Sequence, residues 1–467
     1  MKKHKLQIRT RKLLADTITP VGIYLKLRDR YAGSFLLESS DYHGAEDSFS
    51  YICCDPIASF SFDGKVVSQK WPGGINSSES VEGKGDALSL LKGFRDSFEA
   101  PKAKKYIETG LFGYMAYDAV QFFEDIDITN PTEINIPLIN YRVFRFILAL
   151  DHFKNECHII ETYVDQPNDE DFEEIVNTIH QRNIPSFNFE KRGEASSNLT
   201  DDEFLQNVKK GIHHCDIGDV FQVVFSRRFE TQFSGDEFQV YRALRSINPS
   251  PYLFYFDYGS YKIFGSSPEA QIVVKDRKAT IYPIAGTFRR TGEDEADAAL
   301  AKKLLEDEKE NSEHIMLVDL ARNDLSKSAE NVKVDTYKEI QYFSHVIHLV
   351  SKVSGELNAR ADALDIVAST FPAGTLSGAP KHMAMQLIDQ VESISRDFYG
   401  GAIGFMDFEG NFNHAIMIRT FLSHMNKLIY QAGAGIVAKS DPKGEVQEVY
   451  NKLAALEKAM EDAEKIG

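Results

Sequence analysis

Two short acidic motifs in the second half of this 467-residue chain have the residue types and spacing of a cation site. The first contains Glu310 and Glu313, and the second contains Glu445 and Glu448. Carboxylates three residues apart project from one face of a helix, so each motif predicts two oxygen donors on the same side. Mg²⁺ takes oxygen ligands and leaves positions for water or an anionic substrate. The four glutamates therefore predict a magnesium site, although glutamate pairs on solvated helix surfaces have the same spacing.

The sequence around the second motif indicates the helix that positions it. Apolar residues recur every three or four positions, as on an amphipathic helix, at Val446, Val449, Leu453, Leu456 and Met460. On this helix Glu445, Glu448 and Lys452 lie along one stripe.

Composition and charge exclude several classes of protein. The net charge of −17 argues against a nucleic-acid groove or an anionic membrane surface as the general partner. The basic start leads into no apolar run, so it does not predict a signal peptide, and no stretch is apolar enough to span a bilayer. The four cysteines lack the spacing of a metal site or disulfide framework, so we expect a cytoplasmic location.

The order of predicted elements indicates the fold class. Residues 184–200 are polar and predict a linker, after which Thr200 and Glu203 have the spacing of a helix capping box. Residues 220–225, 252–256 and 272–274 are rich in β-branched and aromatic side chains, as in strands. Strands and helices occur in blocks, so we predict an α+β fold.

Eight separate stretches, over residues 195 to 460, resemble one family, the chorismate-utilising enzymes, and within it the anthranilate synthase branch. They are GDVFQVV at 218–224, SSPE at 266–269, PIAGT at 283–287, EHIMLVDLARND at 313–324, SHVIHLVS at 344–351, TFPAGTLSGAPK at 370–381, YGGAIG at 399–404 and QAGAG at 431–435. The resemblance implies a large β-sheet sandwich flanked by helices. It also implies an N-terminal regulatory region at 1–190 and a chorismate-binding catalytic domain at 195–467.

The resemblance implies a lyase that converts chorismate and ammonia to anthranilate and pyruvate, the first committed step of tryptophan biosynthesis. Ammonia adds at C2 as the C4 hydroxyl leaves, and pyruvate is then eliminated. Mg²⁺ held by Glu313 and Glu448, with Glu310 and Glu445 as further ligands directly or through water, would neutralise the ring carboxylate.

The resemblance also assigns roles to individual residues. Glu269 matches the general acid near the C4 hydroxyl, and His348 matches a histidine that assists the same departure. Arg419 matches the arginine that binds the enolpyruvyl carboxylate. The other implied catalytic and substrate-binding residues are Gln222, Thr375, Ala285, Gly286, Thr287, Tyr399, Gly433, Ala434, Gly435 and Lys452.

Two positions distinguish the branches of the family. Branches that add water carry a lysine where this chain has Gln222, and a neutral amide cannot take a proton from water. The aminodeoxychorismate synthase branch has a nucleophilic lysine where this chain has Ala285. Both positions favour anthranilate synthesis. The alternatives are aminodeoxychorismate synthase component I and a non-catalytic, tryptophan-binding paralogue.

A second resemblance, in the N-terminal part, implies feedback inhibition by tryptophan. The residues LLESS at 36–40 and NPSPYL at 248–253 match the family's tryptophan site. Its implied contacts are Glu38, Ser39, Pro251, Tyr252 and Leu253. No cysteine lies in a Gly-x-Cys-x-Gly motif, so we predict that a separate glutamine amidotransferase subunit supplies ammonia.

Overall fold

The computed structural model describes residues 3–39, 48–102, 106–181, 183–342 and 346–466, with only the backbone at 285, 287, 289 and 309. The strands are β1 (His4–Lys5), β2 (Gln7–Leu14), β3 (Phe35–Glu38), β4 (Phe49–Phe62), β5 (Val66–Trp71), β6 (Ile75–Ser80), β7 (Phe98–Glu99), β8 (Leu111–Met115), β9 (Ile139–Asp151), β10 (Glu156–Tyr163), β11 (Phe189–Ser197), β12 (Gln222–Gly235), β13 (Tyr252–Asp257), β14 (Tyr261–Ser267), β15 (Ala270–Lys275), β16 (Lys278–Ile281), β17 (Ile284–Arg289), β18 (Ala329–Tyr342), β19 (Val346–Leu357), β20 (Gly378–Ala379), β21 (Ala402–Met406), β22 (Phe412–Ile416), β23 (Thr420–His424) and β24 (Lys427–Ile436). The helices are α1 (Pro20–Leu27), α2 (Asp86–Asp96), α3 (Asp169–His180), α4 (Asp201–Asp216), α5 (Phe238–Ile247), α6 (Asp294–Glu306), α7 (Glu308–Ser326), α8 (Ala363–Thr370), α9 (Gly374–Ser377), α10 (Lys381–Val391) and α11 (Pro442–Ala463), with a 3-10 helix at Tyr117–Phe122.

Two antiparallel sheets share the long strands β4 and β9. The first sheet runs from β11 through β12, β24, β23, β14, β13 and β3 to the start of β4. The second runs from the start of β9 through β8, β21, β22, β15 and β16 to β19, which also pairs with β17 and β18. The two halves of β4 have different neighbours, because its first half pairs with β3 and its second half with β5.

The core has a central layer and two outer layers. Phe35, Phe144 and Phe256 lie in the central layer, where the rings of Phe35 and Phe256 stack at 4.2 Å. On β9, Phe146 and Leu148 alternate with central-layer residues and face an outer layer, as the period of a strand requires. Side chains of α1, α3, α4, α5, α10 and α11 pack in one outer layer, and those of α2, α7 and α8 pack in the other. This arrangement confirms the predicted α+β fold with a sheet sandwich flanked by helices.

Local predictions around the middle of the chain have mixed outcomes. The capping box before α4 is present, with Thr200 and Glu203 each accepting the other's backbone N–H. The predicted linker is wrong over Phe189–Ser197, because this segment forms β11 and pairs with β12. A polar strand at the edge of a sheet has the composition of a linker, which explains the error.

Strands from both sides of the predicted domain boundary, at residues 190–195, pair with each other. β3 pairs with β13, and β8 pairs with β21, so the two stretches 1–190 and 195–467 contribute to the same sheets. Their division into regulatory and catalytic parts stays a prediction about function. Within the described residues, the search for a helix long and apolar enough to cross a bilayer finds none.

Candidate active site

The two acidic motifs lie on helices, as predicted, and both are near the helix starts. The Asp307 carboxylate caps α7 by accepting the Glu310 N–H at 3.0 Å. The Asp441 carboxylate caps α11 by accepting the Gly444 N–H at 2.9 Å, and Pro442 occupies the first turn. The caps place Glu310 and Glu445 in the first turns, where the backbone amides favour negative charge, and Glu313 and Glu448 follow in the second turns.

The α7 carboxylates approach two different strands. Glu313 Oε1 accepts a hydrogen bond from Gln222 Nε2 at 3.3 Å, and Gln222 is the first residue of β12. The Gln222 side chain is buried, and its Oε1 has no hydrogen-bond partner among the described residues. The amide nitrogen therefore faces Glu313, and the amide oxygen can accept a hydrogen bond from a ligand.

Glu310 lies beside Gly286 of β17. A Cβ at Gly286 would lie 3.2 Å from Glu310 Oε2 and 2.7 Å from a methyl group of Leu304. Gly286 also has a φ of +75°, which a side chain would strain. Glycine at this position therefore permits the close approach of the Glu310 carboxylate.

On α11, Lys452 connects the acidic motif to β24. Its Nζ lies 2.7 Å from Glu448 Oε1 and donates to the Gly433 carbonyl at 2.8 Å. Glu445, which lies one turn before Glu448, is only 4% exposed. A cation and two carboxylates are thus held on one stripe of α11, as the sequence predicts.

Two glycines of β24 let other side chains reach this strand. A Cβ at Gly433 would lie 3.2 Å from the Tyr399 hydroxyl, and one at Gly435 would lie 2.5 Å from Gln222 Nε2. Ala434 alternates with them and packs in the helix-covered core. The Gln222 side chain therefore contacts α7 at Glu313, and it lies against β24 at Gly435.

The predicted metal ligands are not gathered into one cluster. Among the described residues, no three His, Cys, Asp or Glu side chains form a group that could hold a metal ion. The donor chemistry nevertheless fits Mg²⁺, because both helices offer only carboxylate oxygens. The four-glutamate site stays a prediction.

Glu269 lies between β14 and β15, beside the hydroxyl of Thr375 at the start of α9. Thr375 Oγ1 donates to Glu269 Oε1 at 3.1 Å. Burial raises the pKa of Glu269 to about 7, while the Thr375 hydrogen bond and the charges of Lys452 and Arg419 oppose this rise. At neutral pH this carboxyl group is divided between its acid and its ionised form.

His348 lies on β19 and is 4% exposed. Its Nδ1 lies 3.2 Å from the Gly286 carbonyl, so the neutral ring donates the Nδ1 proton and has its acceptor at Nε2. The pKa of His348 is lowered to about 4, chiefly by burial. The Gly286 hydrogen bond opposes this shift, and the nearby Arg419 charge contributes to it. The backbones of Ala285 and Thr287 lie opposite Leu349 and His348, whereas their side chains lie outside the described residues.

Arg419 precedes β23 and has a left-handed φ of +49°. Burial lowers its pKa, and the Glu269 charge opposes this shift. Its Nη1 donates to Asn248 Oδ1 at 3.3 Å. The interactions of Arg419 with both Glu269 and His348 place one cation near the two predicted proton-transfer groups.

The residues of the predicted tryptophan site also come together. Glu38 on β3 lies directly opposite Leu253 on β13, the strand that begins at Tyr252 and follows Pro251. The buried Glu38 carboxylate accepts hydrogen bonds from Tyr241 at 2.7 Å and Arg245 at 2.9 Å. Ser39 follows the end of β3, and Ser40 lies outside the described residues.

Several partners of these residues were missed by sequence reasoning. They are Tyr241 and Arg245 at Glu38, Asn248 at Arg419, and His314 with Ser351 behind the α7 motif. Each of these hydrogen bonds joins residues at least 37 positions apart, and periodicity reports only local neighbours. His314 had a local signal, because it directly follows Glu313 in the acidic motif.

Comparison with known proteins identifies the family of this chain. Residues 35–458 match the family described as chorismate binding enzyme. The chain is 38% identical to anthranilate synthase component 1 of Aquifex aeolicus (strain VF5), covering 97% of this chain and 94% of that one. It is 36% identical to the Acetivibrio thermocellus protein of the same name, covering 98% and 96%. The crystal structure of anthranilate synthase component I from Streptococcus pneumoniae TIGR4 superposes with a TM-score of 0.75 at 32% identity, covering 87% and 92%. The chain therefore belongs to the family of chorismate binding enzymes.

Proposed function

We propose that this chain is the component of an anthranilate synthase that converts chorismate and ammonia to anthranilate and pyruvate. The observation that supports this best is Glu269, a carboxyl group with a pKa of about 7 that contacts Thr375 and lies near two cations. A proton donor beside positive charge is what departure of a hydroxyl from a dianionic substrate requires. The names and identities of the similar proteins point to the same reaction.

In this proposal the two cations bind the substrate carboxylates. Arg419 takes the enolpyruvyl carboxylate, and Lys452 supplies a second positive charge from α11. Glu269 gives its proton to the C4 hydroxyl, which leaves as water while the C2–N bond forms. His348 is neutral near pH 7 and assists the departure of the C4 hydroxyl by hydrogen bonding rather than as an imidazolium.

Gln222 orients the ammonia. Its Nε2 donates to Glu313, and its buried Oε1 has no hydrogen-bond partner among the described residues and can accept from a ligand. An acceptor that cannot give a proton suits ammonia, which must offer N–H to the protein and its lone pair to C2. The added nitrogen then gives up one proton to become an amine. Loss of the C2 proton and cleavage of the bond between ring C3 and the enolpyruvyl oxygen make the ring aromatic and give anthranilate. The released enolpyruvate takes up a proton on its methylene carbon and becomes pyruvate.

Glu310, Glu313, Glu445 and Glu448 are the residues that would hold Mg²⁺. When bound, the ion would neutralise the ring carboxylate and orient the substrate. Because the two helices hold their carboxylates in separate pairs, we expect the ion to bind together with chorismate.

Anthranilate fluorescence tests the reaction. The purified chain is mixed with chorismate, Mg²⁺ and an ammonium salt, with EDTA as the control. We expect fluorescence that EDTA abolishes. Chorismate consumed without fluorescence would instead indicate the aminodeoxychorismate branch, and unchanged chorismate would support a non-catalytic paralogue.

We also propose feedback inhibition by tryptophan at Glu38, Ser39 and the start of β13. The support is the direct pairing of Glu38 with Leu253, which places a buried carboxylate beside the second predicted segment. Tryptophan should lower the ammonia-dependent rate of the unaltered chain, and Glu38→Gln should weaken its binding by calorimetry. An unaltered rate at saturating tryptophan would contradict this role.

A further inference from the structure

His314 directly follows Glu313 on α7, yet its side chain is completely buried. Its Nε2 lies 2.6 Å from Ser351 Oγ on β19. Burial and the charge of Lys338 lower the pKa of His314 to about 4, so the ring is neutral. Its Nδ1 has no hydrogen-bond partner among the described residues, which makes a histidine costlier here than an apolar side chain.

The same serine receives a second contact from a bulge in β18. The pairing of β18 with β19 shifts register between Thr336 and Glu339, and Lys338 in this bulge has a left-handed φ of +55°. In this conformation the Lys338 N–H donates to Ser351 Oγ at 2.9 Å. A left-handed lysine is strained, so the surrounding contacts must maintain this conformation.

Lys338 reaches back to α7 as well. Its ammonium donates to Asn311 Oδ1 at 2.5 Å, while Asn311 Nδ2 donates to the carbonyls of Leu305 and Asp307. The first turns of α7 are therefore attached to the β18–β19 hairpin at two points. We call the four residues Asn311, His314, Lys338 and Ser351 the α7 clamp.

The two points of attachment alternate with the two predicted metal ligands. Successive residues of a helix are rotated by about 100°, so His314 lies about 40° from Glu310 around the axis. Two contacts on one helix face prevent rotation about that axis. Fixing Asn311 and His314 consequently fixes the directions of Glu310, toward Gly286, and Glu313, toward Gln222.

We propose that the α7 clamp positions Glu310 and Glu313 for the divalent cation, an inference that rests on the proposed function. His314 and Ser351 are positioning residues, because they act on the cation only through α7. Removal of such supporting residues typically weakens metal binding by about 10- to 100-fold. The α7 clamp thus predicts a loss of metal affinity from substitutions that touch no ligand.

Ser351→Ala is the main test, and Ser354→Ala is its matched control. Ser354 lies on the same strand and also donates to β18, at Asp335 with a distance of 2.7 Å. Among the described residues it makes no hydrogen bond to α7. Mn²⁺ binding to the full chain with chorismate present is followed by electron paramagnetic resonance. We expect Ser351→Ala to raise the Kd for Mn²⁺ about tenfold, and Ser354→Ala to leave it unchanged.

Two further variants separate positioning from folding. Lys338→Met removes the contact to Asn311 but keeps the backbone N–H to Ser351, and we expect an intermediate loss of affinity. His314→Gln keeps a polar atom near the Nε2 position and should bind Mn²⁺ more tightly than His314→Leu. Thermal unfolding checks that each variant is folded. Excess Mg²⁺ should restore the ammonia-dependent rate of each folded variant.

The outcomes separate this inference from the proposed function. Equal Kd values for Ser351→Ala and the unaltered chain would overturn the positioning role while leaving the reaction intact. A parallel loss in Ser354→Ala would overturn it too, because general loosening of the hairpin would then explain both variants. If the unaltered chain binds no divalent cation, the metal part of the proposed function fails and the inference fails with it.

Discussion

Burial moves the pKa values of Glu269 and His348 in opposite directions. Removing a charged group from water disfavours its charged form, which raises the pKa of a carboxyl group and lowers that of an imidazole. Glu269 consequently still holds a proton near neutrality, whereas His348 has none to give until about pH 4. The difference supports our proposal that Glu269 is the acid.

The pH dependence of the reaction should report Glu269. With free ammonia held constant, we expect kcat/KM for chorismate to fall about tenfold per pH unit above pH 7, because the acid form is lost. Glu269→Gln should lower kcat by about 10²- to 10⁴-fold and remove this part of the profile. If the decline above pH 7 persisted in Glu269→Gln, another group would be the acid.

The Gln222 amide should affect ammonia more than chorismate. In Gln222→Met the acceptor is absent, and loss of one hydrogen bond of about 1–1.5 kcal/mol should lower kcat/KM for ammonia roughly tenfold. Gln271→Met is the control, because Gln271 is also buried and its Oε1 also has no hydrogen-bond partner in the described part of the chain, but its Nε2 donates to Thr370. Equal effects of both substitutions on ammonia would contradict a role for Gln222 in orienting it.

Among the elements, α5 connects the two predicted ligand sites. Tyr241 and Arg245 on this helix hold the Glu38 carboxylate, and Asn248 at its end holds Arg419. A helix is stiff along its axis, so a displacement at Glu38 can reach Arg419, the arginine that we propose binds substrate. Asn248 also donates to Ser266 of β14, which fixes this end of the helix to the first sheet.

Asn248→Ala should therefore separate substrate binding from tryptophan binding. We expect KM for chorismate to increase about tenfold, since Arg419 loses a hydrogen bond of about 1.5 kcal/mol. The Kd for tryptophan, measured by calorimetry, should remain unchanged. Arg242→Ala, on the same helix, is the control. A matching loss of tryptophan affinity in Asn248→Ala would mean that the substitution loosens the helix as a whole.

Sequence patterns predicted the elements better than their long-range contacts. The apolar spacing of α11 and the capping box of α4 are local, and both are confirmed. The bulge at Lys338 was not predictable, because no residue type with a preference for positive φ marks it. Motif resemblance placed Glu269 and Thr375 in one site, but the pKa of Glu269 depends on burial that only the folded chain creates.

For the whole molecule, a net charge of −17 surrounds a site that, in our proposal, accepts a dianion. The nearby cations Arg419 and Lys452 must therefore overcome the field of the protein as well as desolvation. Salt screens long-range repulsion between exposed charges more than it weakens contacts in a partly buried site. The arrangement of local cations in an acidic protein therefore favours binding at close range over long-range attraction of substrate.

The state of the four thiols bears on the source of the ammonia. Burial raises the pKa of every cysteine thiol, to about 12 at Cys157 and about 11 at Cys215, and well above the usual range at Cys53 and Cys54. A glutaminase of this chemistry needs a thiolate, and a thiol with such a pKa is protonated at neutral pH. We therefore propose that a glutamine amidotransferase subunit supplies the ammonia, in agreement with similar proteins being named component 1.

The chain alone should use ammonium salts but not glutamine, and it should gain glutamine-dependent turnover when the amidotransferase subunit is added. Iodoacetamide should abolish the glutamine-dependent rate of the complex and spare the ammonia-dependent rate, because alkylation requires a thiolate. Cys215→Ser removes the one cysteine of this chain that is not fully buried, so it controls for slow alkylation at that site. Glutamine turnover by the chain alone, lost on alkylation, would show that one of its own thiols is active and would contradict the need for a partner.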